Sequence, residues 1–552
     1  MSGKTVADYV VAFLASIGVR HVFGYPGSPL VPLLAAIGRQ ETVQWILMRH
    51  ENAAALAASA TAKRTGRLGV CCLTSGPGAL QAVCGVADAN LDRAPLLALT
   101  GLVARSQQGH WDFQDVDQTR LYGSILAQSL TCSSSSQVVA LLRKLSGYAL
   151  QQQAAAHLAL PIDILAERIP DGDAHYDLPA QQSLAPRIMP QIRDDDIARC
   201  AAALMAKKPV LVVGGRAIGA GEQIEKLAEA LDAPIISSFD GKGIVDEGHP
   251  HYLGILGIFG HPAVAGTRAI VESSDIVLSF GVDNLKPFLS DAKNAQHRRL
   301  ICCTPDLAGV SYEYAADITL LGDVADIASR IAGKMPPPPK TDLIKALSAS
   351  RLETMTGILE SMPVDHDPSY TNSLDFLLQL NAHLNEQHNI VVDTGSHALW
   401  VSLFLRLRHR QRYVVSSRLG TMGFSLPAAI AVQLADPAKK TIAICGDGGF
   451  AMVGMELSTA VQNRLPVVII VINNGVLQNV MAQQEIPFGT TLQNPDFVAF
   501  AKAFGAEGEV VDGETDVDGV LERAFAHREG PYLIDVRVSP AMLAPLNKWE
   551  AG

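Results

Sequence analysis

The chain has 552 residues, several times the length of a common single domain, so we expect a multidomain protein. Hydrophobic residues make up 48% and charged residues 18%, an ordinary globular composition that excludes a largely disordered or fibrous chain. The formal net charge of −11 disfavours sequence-independent binding of nucleic acid, which needs a basic surface. A small anion can still bind where one local site is positive.

The N-terminus predicts an amphipathic helix rather than a signal peptide. Asp8 interrupts the apolar run there, and the apolar residues recur at helical spacing, at Val6, Val10, Phe13 and Ile17. No apolar run reaches the roughly 18 residues that span a bilayer. The eight cysteines include two adjacent pairs but no C-x-x-C motif, and we read them as reduced core residues. We therefore expect a cytoplasmic protein without a membrane span.

Two polar, proline-containing stretches divide the chain into three segments. We predict linkers at 169–187 and 335–342, the second with four consecutive prolines, and domains at 1–168, 188–334 and 343–540. In each segment, short β-branched runs ending in Gly or Asp alternate with helical patterns, which is typical of parallel sheets. The fold class is predicted as α/β, with three doubly wound parallel-sheet domains. The predicted strands include Leu68–Leu73, Pro209–Val213, Ile276–Phe280, Ile390–Val392, Thr441–Cys445 and Pro466–Ile472.

The middle segment opens with a strand that runs into Gly214, Gly215 and Gly219 before a helix. Such a turn can seat a dinucleotide phosphate at the helix N-terminus. It is also common in α/β domains for steric reasons alone, and we prefer that explanation.

The strongest chemical signal lies in the third segment. A strand ends at Gly446-Asp447-Gly448, a helix is predicted through about Asn463, and a second strand ends at Asn473-Asn474. Asp447 and Asn474 should therefore lie at the carboxyl ends of neighbouring parallel strands, the edge where such sheets bind ligands. A carboxylate, an amide oxygen and a main-chain carbonyl are hard ligands that suit Mg²⁺.

This GDG, spacer and NN arrangement resembles the signature of the thiamine-diphosphate (ThDP)-dependent enzymes. The resemblance implies that Asp447, Asn474 and the carbonyl of Val476 hold Mg²⁺. It further implies diphosphate contacts from two groups of residues, Gly448 with Gly449 and Gly395 with Ser396 and His397.

Two further motifs extend this resemblance to the organic part of the cofactor. Residues 48–58, MRHENAAALAA, resemble the family's R-H-E-x-x-A and make Glu51 the carboxylate that bonds N1′ of the aminopyrimidine, so that N4′ can deprotonate thiazolium C2. In SSRLGTMGFSLPAAIAVQL, Met422 would wedge between the two cofactor rings, with Gly420 and Gly423 letting the main chain approach.

Other motifs point to the acetolactate synthase and pyruvate oxidase group. They are FGYPGSP around residue 25, CLTSGPGAL at 72–80, WDFQDVD at 111–117, GDV at 322–324 and MGF at 422–424. In that group a pyrimidine-binding domain, a central domain that can carry FAD and a diphosphate-binding domain follow one another. Two chains share each active site, so the resemblance implies a homodimer or homotetramer.

The chain also departs from that group. The P-x-T-K motif is replaced by Ser124-Ile125-Leu126-Ala127-Gln128, and the R-F-D-D-R turn by Gly281-Val282-Asp283-Asn284-Leu285-Lys286. Beyond Asn474 stand the amides Gln478, Asn479, Gln483 and Gln484, which either make the pocket wall polar or lie on the surface. Weaker candidates for handling substrate are Ser28, His110, Phe113 and Gln114.

These observations predict an enzyme that decarboxylates a 2-oxo acid such as pyruvate through an enamine and passes the product to an acceptor carbonyl. An FAD-dependent oxidase of the pyruvate oxidase type and a simple 2-oxo acid decarboxylase are the alternatives within the same chemistry. A catalytically silent regulatory relative is the alternative outside it, and the presence of Glu51, Asp447 and Asn474 speaks against it.

Overall fold

The computed structural model describes residues 4–169, 176–178, 188–205, 207–259, 265–289, 298–309, 314–337, 341–360, 367–408 and 413–544. Most of the predicted linker 169–187 falls outside these ranges, and so do residues 338–340 of the predicted linker 335–342. Across the described ranges, no helix combines the length and apolar character that crossing a bilayer requires.

The first of three sheets has six parallel strands in the order β2-β1-β3-β4-β6-β5. Its strands are β1 His21–Gly24, β2 Gln44–Leu47, β3 Gly69–Leu73, β4 Leu96–Leu102, β5 Ser129–Thr131 and β6 Ala155–Pro161. The helices around it are α1 Val6–Ser16, α2 Val31–Gly38, α3 Glu51–Thr65, α4 Pro77–Gln81, α5 Val83–Leu91, α6 Gln118–Gly123, α7 Val138–Gln152 and α8 Ile162–Ala166.

The second sheet has the order β12-β11-β10-β7-β8-β9, and all of its ladders are parallel. The strands are β7 Pro209–Val213, β8 Ile235–Ser237, β9 Tyr252–Ile255, β10 Ile276–Phe280, β11 Arg299–Thr304 and β12 Ile318–Leu321. The accompanying helices are α9 Asp194–Leu204, α10 Gly221–Leu231, α11 Ala265–Glu272, α12 Lys286–Leu289 and α13 Val324–Ala332.

The third sheet is again parallel, in the order β14-β13-β15-β16-β18-β17. Its strands are β13 His388–Val392, β14 Tyr413–Val415, β15 Lys440–Gly446, β16 Val468–Asn473, β17 Glu507–Val511 and β18 Tyr532–Arg537. Its helices are α14 Leu343–Glu360, α15 Ser373–His383, α16 Ser396–Phe404, α17 Ser425–Ala435, α18 Asp447–Val453, α19 Leu457–Gln462, α20 Gln478–Met481, α21 Phe497–Ala503 and α22 Val517–Ala526.

The predicted fold class of three doubly wound parallel sheets is confirmed, but two local expectations need correction. The helix predicted from Gly448 to about Asn463 is not continuous, because a 3₁₀ turn at Gly454–Glu456 separates α18 from α19. Cys84 is exposed, whereas the other seven cysteines are buried core residues as predicted, and all eight are free thiols.

Small side chains join the first sheet's helices to the third sheet's. Helix α3 is rich in alanine, and it packs against α17, another helix of small residues, in one continuous apolar core. Alanine lets the two backbones approach closely because it leaves little side chain between them. This packing matters for the site, since Glu51 is the first residue of α3 and the loop carrying Met422 leads into α17.

Candidate functional site

Asp447 begins α18, directly after β15, and its buried carboxylate is held by three hydrogen bonds. Oδ2 accepts from the main-chain N–H of Gly475 at 2.8 Å and from Nδ2 of Asn494 at 2.7 Å, and Oδ1 accepts from the N–H of Gly448 at 2.9 Å. The pKa of Asp447 is raised, chiefly by burial, and the hydrogen bonds from Asn494 and Gly448 limit the rise. The carboxylate is therefore oriented before any ligand binds.

The structure brings the Asn474–Val476 turn beside this carboxylate, as the sequence predicts. Asn474 Oδ1 accepts from the N–H of Val476 at 3.1 Å, which shapes the turn. No group of three or more His, Cys, Asp and Glu side chains that could hold a metal occurs in the described parts of the chain. A cation at this edge would rely on one carboxylate with amide and carbonyl oxygens, a donor set that fits Mg²⁺.

His397 supplies a buried polar atom without a protein partner. Burial lowers the pKa of His397 to about 4, so the imidazole is neutral at pH 7. Among the described residues its Nε2 has no hydrogen-bond partner, and a Cβ placed on Gly446 would lie 3.0 Å from its Nδ1. The ring therefore lies against the end of β15, where an anionic group of a ligand could satisfy it.

Asp393, which the sequence analysis did not single out, connects the loop after β13 to the loop that carries Met422. It follows β13, and its Oδ1 accepts from the N–H groups of Thr394 at 2.7 Å and Gly423 at 2.9 Å. Its Oδ2 accepts from both N–H and Oγ of Ser425 at 3.0 Å. The signal available in the sequence was its position, an aspartate directly after a buried strand like Asp447.

Met422 lies between Gly420 and Gly423, both of which have positive φ, at 66° and 79°, and so favour glycine. Its methyl group reaches the start of α18, since a Cβ placed on Gly448 would lie 3.4 Å from Met422 Cε. A Cβ on Gly449 would meet the Asp393 carboxylate at 3.2 Å. The predicted residues Met422, Gly448 and Gly449 are thus close together, in a space that larger side chains would fill.

Glu51 is the first residue of α3, and its side chain is 9% exposed. His50 caps the helix, with Nδ1 accepting from the N–H of Asn52 at 3.0 Å. No hydrogen bond to the Glu51 carboxylate is formed within the described residues. A Cβ placed on Gly78, from the CLTSGPGAL motif, would lie 3.0 Å from its Oε1, so that glycine keeps the space beside the carboxylate open.

Glu456 is a second residue that the sequence analysis missed. Its Oε1 accepts from the N–H groups of Arg49 at 2.8 Å and His50 at 3.1 Å, immediately before Glu51. Its Oε2 accepts from Thr459 Oγ1 at 2.7 Å, and burial raises the pKa of Glu456. The 3₁₀ turn that ends α18 therefore holds the backbone that presents Glu51.

The four candidate residues for handling substrate are brought together only in part. Gln114 lies next to the CLTSGPGAL turn, where its Oε1 accepts from Ser75 Oγ at 3.1 Å. Phe113 is 84% exposed, and His110 and Ser28 are exposed as well, so none of these three is enclosed within the single chain.

Gln478 does not offer a free amide to a pocket. It is 4% exposed, and its Nε2 donates to the carbonyls of Pro540 at 2.9 Å and Met542 at 3.2 Å. Gln483 is exposed, and its Nε2 donates to the carbonyl of Asn479 at 2.8 Å. Neither alternative, an open pocket wall or the surface, describes Gln478, because its buried amide nitrogen ties α20 to the segment that follows β18, whereas Gln483 lies on the surface.

Comparison with known proteins agrees with this arrangement. Three family models match, described as the N-terminal TPP binding domain, the central domain and the C-terminal TPP binding domain of thiamine pyrophosphate enzymes, over residues 4–121, 197–331 and 393–536. The chain is 31% identical to the probable acetolactate synthase large subunit of Methanocaldococcus jannaschii, with 98% of this chain and 93% of the relative covered. It belongs to the thiamine pyrophosphate enzymes.

Two other relatives show where in that family it lies. The acetolactate synthase isozyme 2 large subunit of Escherichia coli is 31% identical, with 96% of this chain and 95% of that protein covered. The putative thiamine pyrophosphate-containing protein YdaP of Bacillus subtilis is 29% identical, with coverages of 98% and 92%. The chain is a ThDP-dependent enzyme of the acetolactate synthase group.

Proposed function

We propose that this enzyme uses ThDP and Mg²⁺ to decarboxylate a pyruvate-like 2-oxo acid. The acyl fragment that remains keeps the electron pair of the broken bond and is joined to an acceptor carbonyl. The observation that carries the proposal is the Asp447 carboxylate, buried and oriented at the end of β15 beside the Asn474–Val476 turn. Asp447, Asn474 and the Val476 carbonyl are the proposed Mg²⁺ ligands. ThDP supplies, when bound, the nucleophilic carbon and the electron sink for this chemistry.

The other residues have separate proposed roles. Gly448, Gly449, Gly395 and Ser396 give the diphosphate access to main-chain N–H groups, and the unpartnered Nε2 of His397 donates to it. The carboxylate of Glu51 forms a hydrogen bond with the ring nitrogen N1′ of the aminopyrimidine. Met422 and Gly420 fix the bend between the rings, and Asp393 holds their loop in place.

A second copy of the chain is part of the proposal. Large apolar side chains stand in solvent on the loop beside Gln114 and on the segment after α20, at Trp111, Phe113, Ile486 and Phe488. Exposed apolar groups near a site are typical of surfaces that a partner covers. We propose a homodimer or homotetramer that encloses Phe113, His110 and Ser28 at the substrate entrance. Eight free thiols support a reducing, cytoplasmic location.

Calorimetry and a CO₂-release screen test the proposed function. ThDP should bind with Mg²⁺ present and fail to bind in EDTA, and one or more 2-oxo acids should release CO₂ in stoichiometric relation to a carboligation product. ThDP binding that is indifferent to the cation would refute the metal assignment. Release of CO₂ with only free aldehyde as product would favour the simple decarboxylase instead.

A further inference from the structure

A charged cleft opens at the carboxyl edge of the second sheet. It has a volume of about 460 Å³ and is lined by residues that include Gly215, Arg216, Asp240 and Asp283. A second cleft of about 610 Å³ shares Asp240 and Asp283 with it and ends at Gly420, two residues from Met422. Together they form a path from the central sheet to the proposed cofactor site.

In the acetolactate synthase and pyruvate oxidase group, which this chain resembles, the central domain can carry FAD. FAD carries an anionic diphosphate, which proteins bind with unpaired cations, glycine N–H groups and helix N-termini.

Gly214 and Gly215 leave no room for a phosphate, whereas a Cβ on Gly219 would meet no atom within 4 Å. A Cβ placed on Gly215 would lie 2.5 Å from Asp240 Oδ2, so a carboxylate already occupies the space that the glycine opens. A Cβ on Gly214 would lie 2.4 Å from the carbonyl oxygen of Gly281. Both glycines are thus explained by close packing within the protein, as preferred from the sequence.

Two of the arginines that line the cleft are neutralised by carboxylates. Arg216 pairs with Asp306 and, through Nη1, with Asp283 at 3.2 Å, and Arg93 Nε pairs with Asp283 Oδ2 at 3.0 Å. The side chains of Arg216 and Asp283 are only 9% and 7% exposed, so these pairs are shielded from water. Asp283 lies in the segment that replaces the R-F-D-D-R turn of the family.

The N-terminus of helix α13 is also occupied. Asp323, which lines the cleft, caps that helix, with Oδ1 accepting from the N–H of Asp326 at 2.9 Å. Asp240 adds a second carboxylate near Asp283, and burial together with the charge of Asp283 raises the pKa of Asp240. A diphosphate would therefore meet a carboxylate at Gly215, beside Arg216 and at the start of α13.

We propose that the carboxylates of Asp240, Asp283 and Asp323 exclude FAD from this cleft, and that the enzyme is flavin-free. These residues do not fit the diphosphate of the cofactor. For the reaction, which rests on the proposed function, this means that the electron pair left by decarboxylation goes to an acceptor carbonyl and not to a bound flavin.

The test begins with the full-length protein purified from cells that have ample riboflavin. We expect no flavin absorbance, no flavin released by heat, and no saturable binding of added FAD or ADP in calorimetry. Stoichiometric flavin or saturable FAD binding would overturn the proposal. These readouts need no turnover, so they stand even if the ThDP chemistry proves different.

A charge-removal variant tests the reason for the exclusion. Asp240→Asn with Asp283→Asn removes two carboxylates, one of which pairs with Arg93 and Arg216, and we expect the affinity for ADP to rise at least about tenfold per removed charge. Asp195→Asn, an exposed carboxylate on α9 outside the clefts, makes the same charge change and should have no effect. If circular dichroism shows a folded double variant without increased ADP affinity, the electrostatic explanation is wrong.

Discussion

Glu456 offers the sharpest test of how the fold presents Glu51. Hydrogen bonds to a charged group contribute about 1.5–3 kcal/mol each. Glu456→Ala removes the acceptor for the N–H groups of Arg49 and His50 and leaves both without a partner, a local cost of about 3–6 kcal/mol. We expect the first turn of α3 to shift or fray, and with it the Glu51 carboxylate.

The assay is proton–deuterium exchange at C2 of bound ThDP, which reports directly on Glu51. A displacement of about 1 Å can cost a catalytic group about 100-fold in rate, so we expect exchange to slow by about that factor. The Kd for ThDP with Mg²⁺ should change little, because the Asp447 site is separate and intact.

Glu456→Gln is the matched control. Its amide oxygen can still accept from Arg49 and His50, and its Nε2 can donate to Thr459 Oγ1, so exchange should stay close to that of the wild type. If Glu456 contributed only to stability, Glu456→Ala would lower the free energy of unfolding, but it would not slow C2 exchange while leaving the Kd for ThDP unchanged. Wild-type exchange in a folded Glu456→Ala enzyme would refute the positioning argument.

The remaining predictions concern cofactor chemistry, pH and packing. Glu51→Gln should retain ThDP and Mg²⁺ but slow C2 exchange by orders of magnitude, because an amide cannot hold the pyrimidine proton as a carboxylate does; unchanged exchange would remove Glu51 from the mechanism. Asp447→Ala should abolish ThDP retention in dialysis, and undiminished affinity would place the metal elsewhere. Burial lowers the pKa of His157 to about 3, so below about pH 6.5 the unfolded chain takes up a proton that the folded chain does not. The free energy of unfolding therefore decreases as the pH is lowered. From pH 7 to 5 this amounts to about 2 kcal/mol, which His157→Asn should remove from the pH dependence measured by urea unfolding; an unaltered slope would contradict it. Gln478→Leu should destabilise the fold by about 1–3 kcal/mol while leaving the ranking of acceptor substrates as in the wild type, and a changed ranking would return Gln478 to the pocket.

The sequence by itself determined the features that depend on neighbouring residues. The strands Pro209–Val213 and Ile276–Phe280 have the bounds that their β-branched runs predict. Asp447 and Asn474 lie together because both follow strands of one parallel sheet, and that edge is fixed by the β-α-β connection between them. A local pattern is sufficient here, since a strand's end and its direction follow from a few consecutive residues.

Only the tertiary structure decided which distant groups meet. Glu456 and Arg49 are 407 residues apart, and their hydrogen bond depends on the packing of α3 against α17. Asp240 fills the space above Gly215 because β7 and β8 are neighbours in the second sheet. A glycine-rich loop of the kind found at phosphate sites therefore lines an acidic cleft. Gln478, for which the sequence left a pocket wall and the surface open, instead donates to the carbonyls of Pro540 and Met542 from a buried position. Side-chain orientation and partners of this kind are set by packing between elements far apart in the chain, on which local propensity has no bearing.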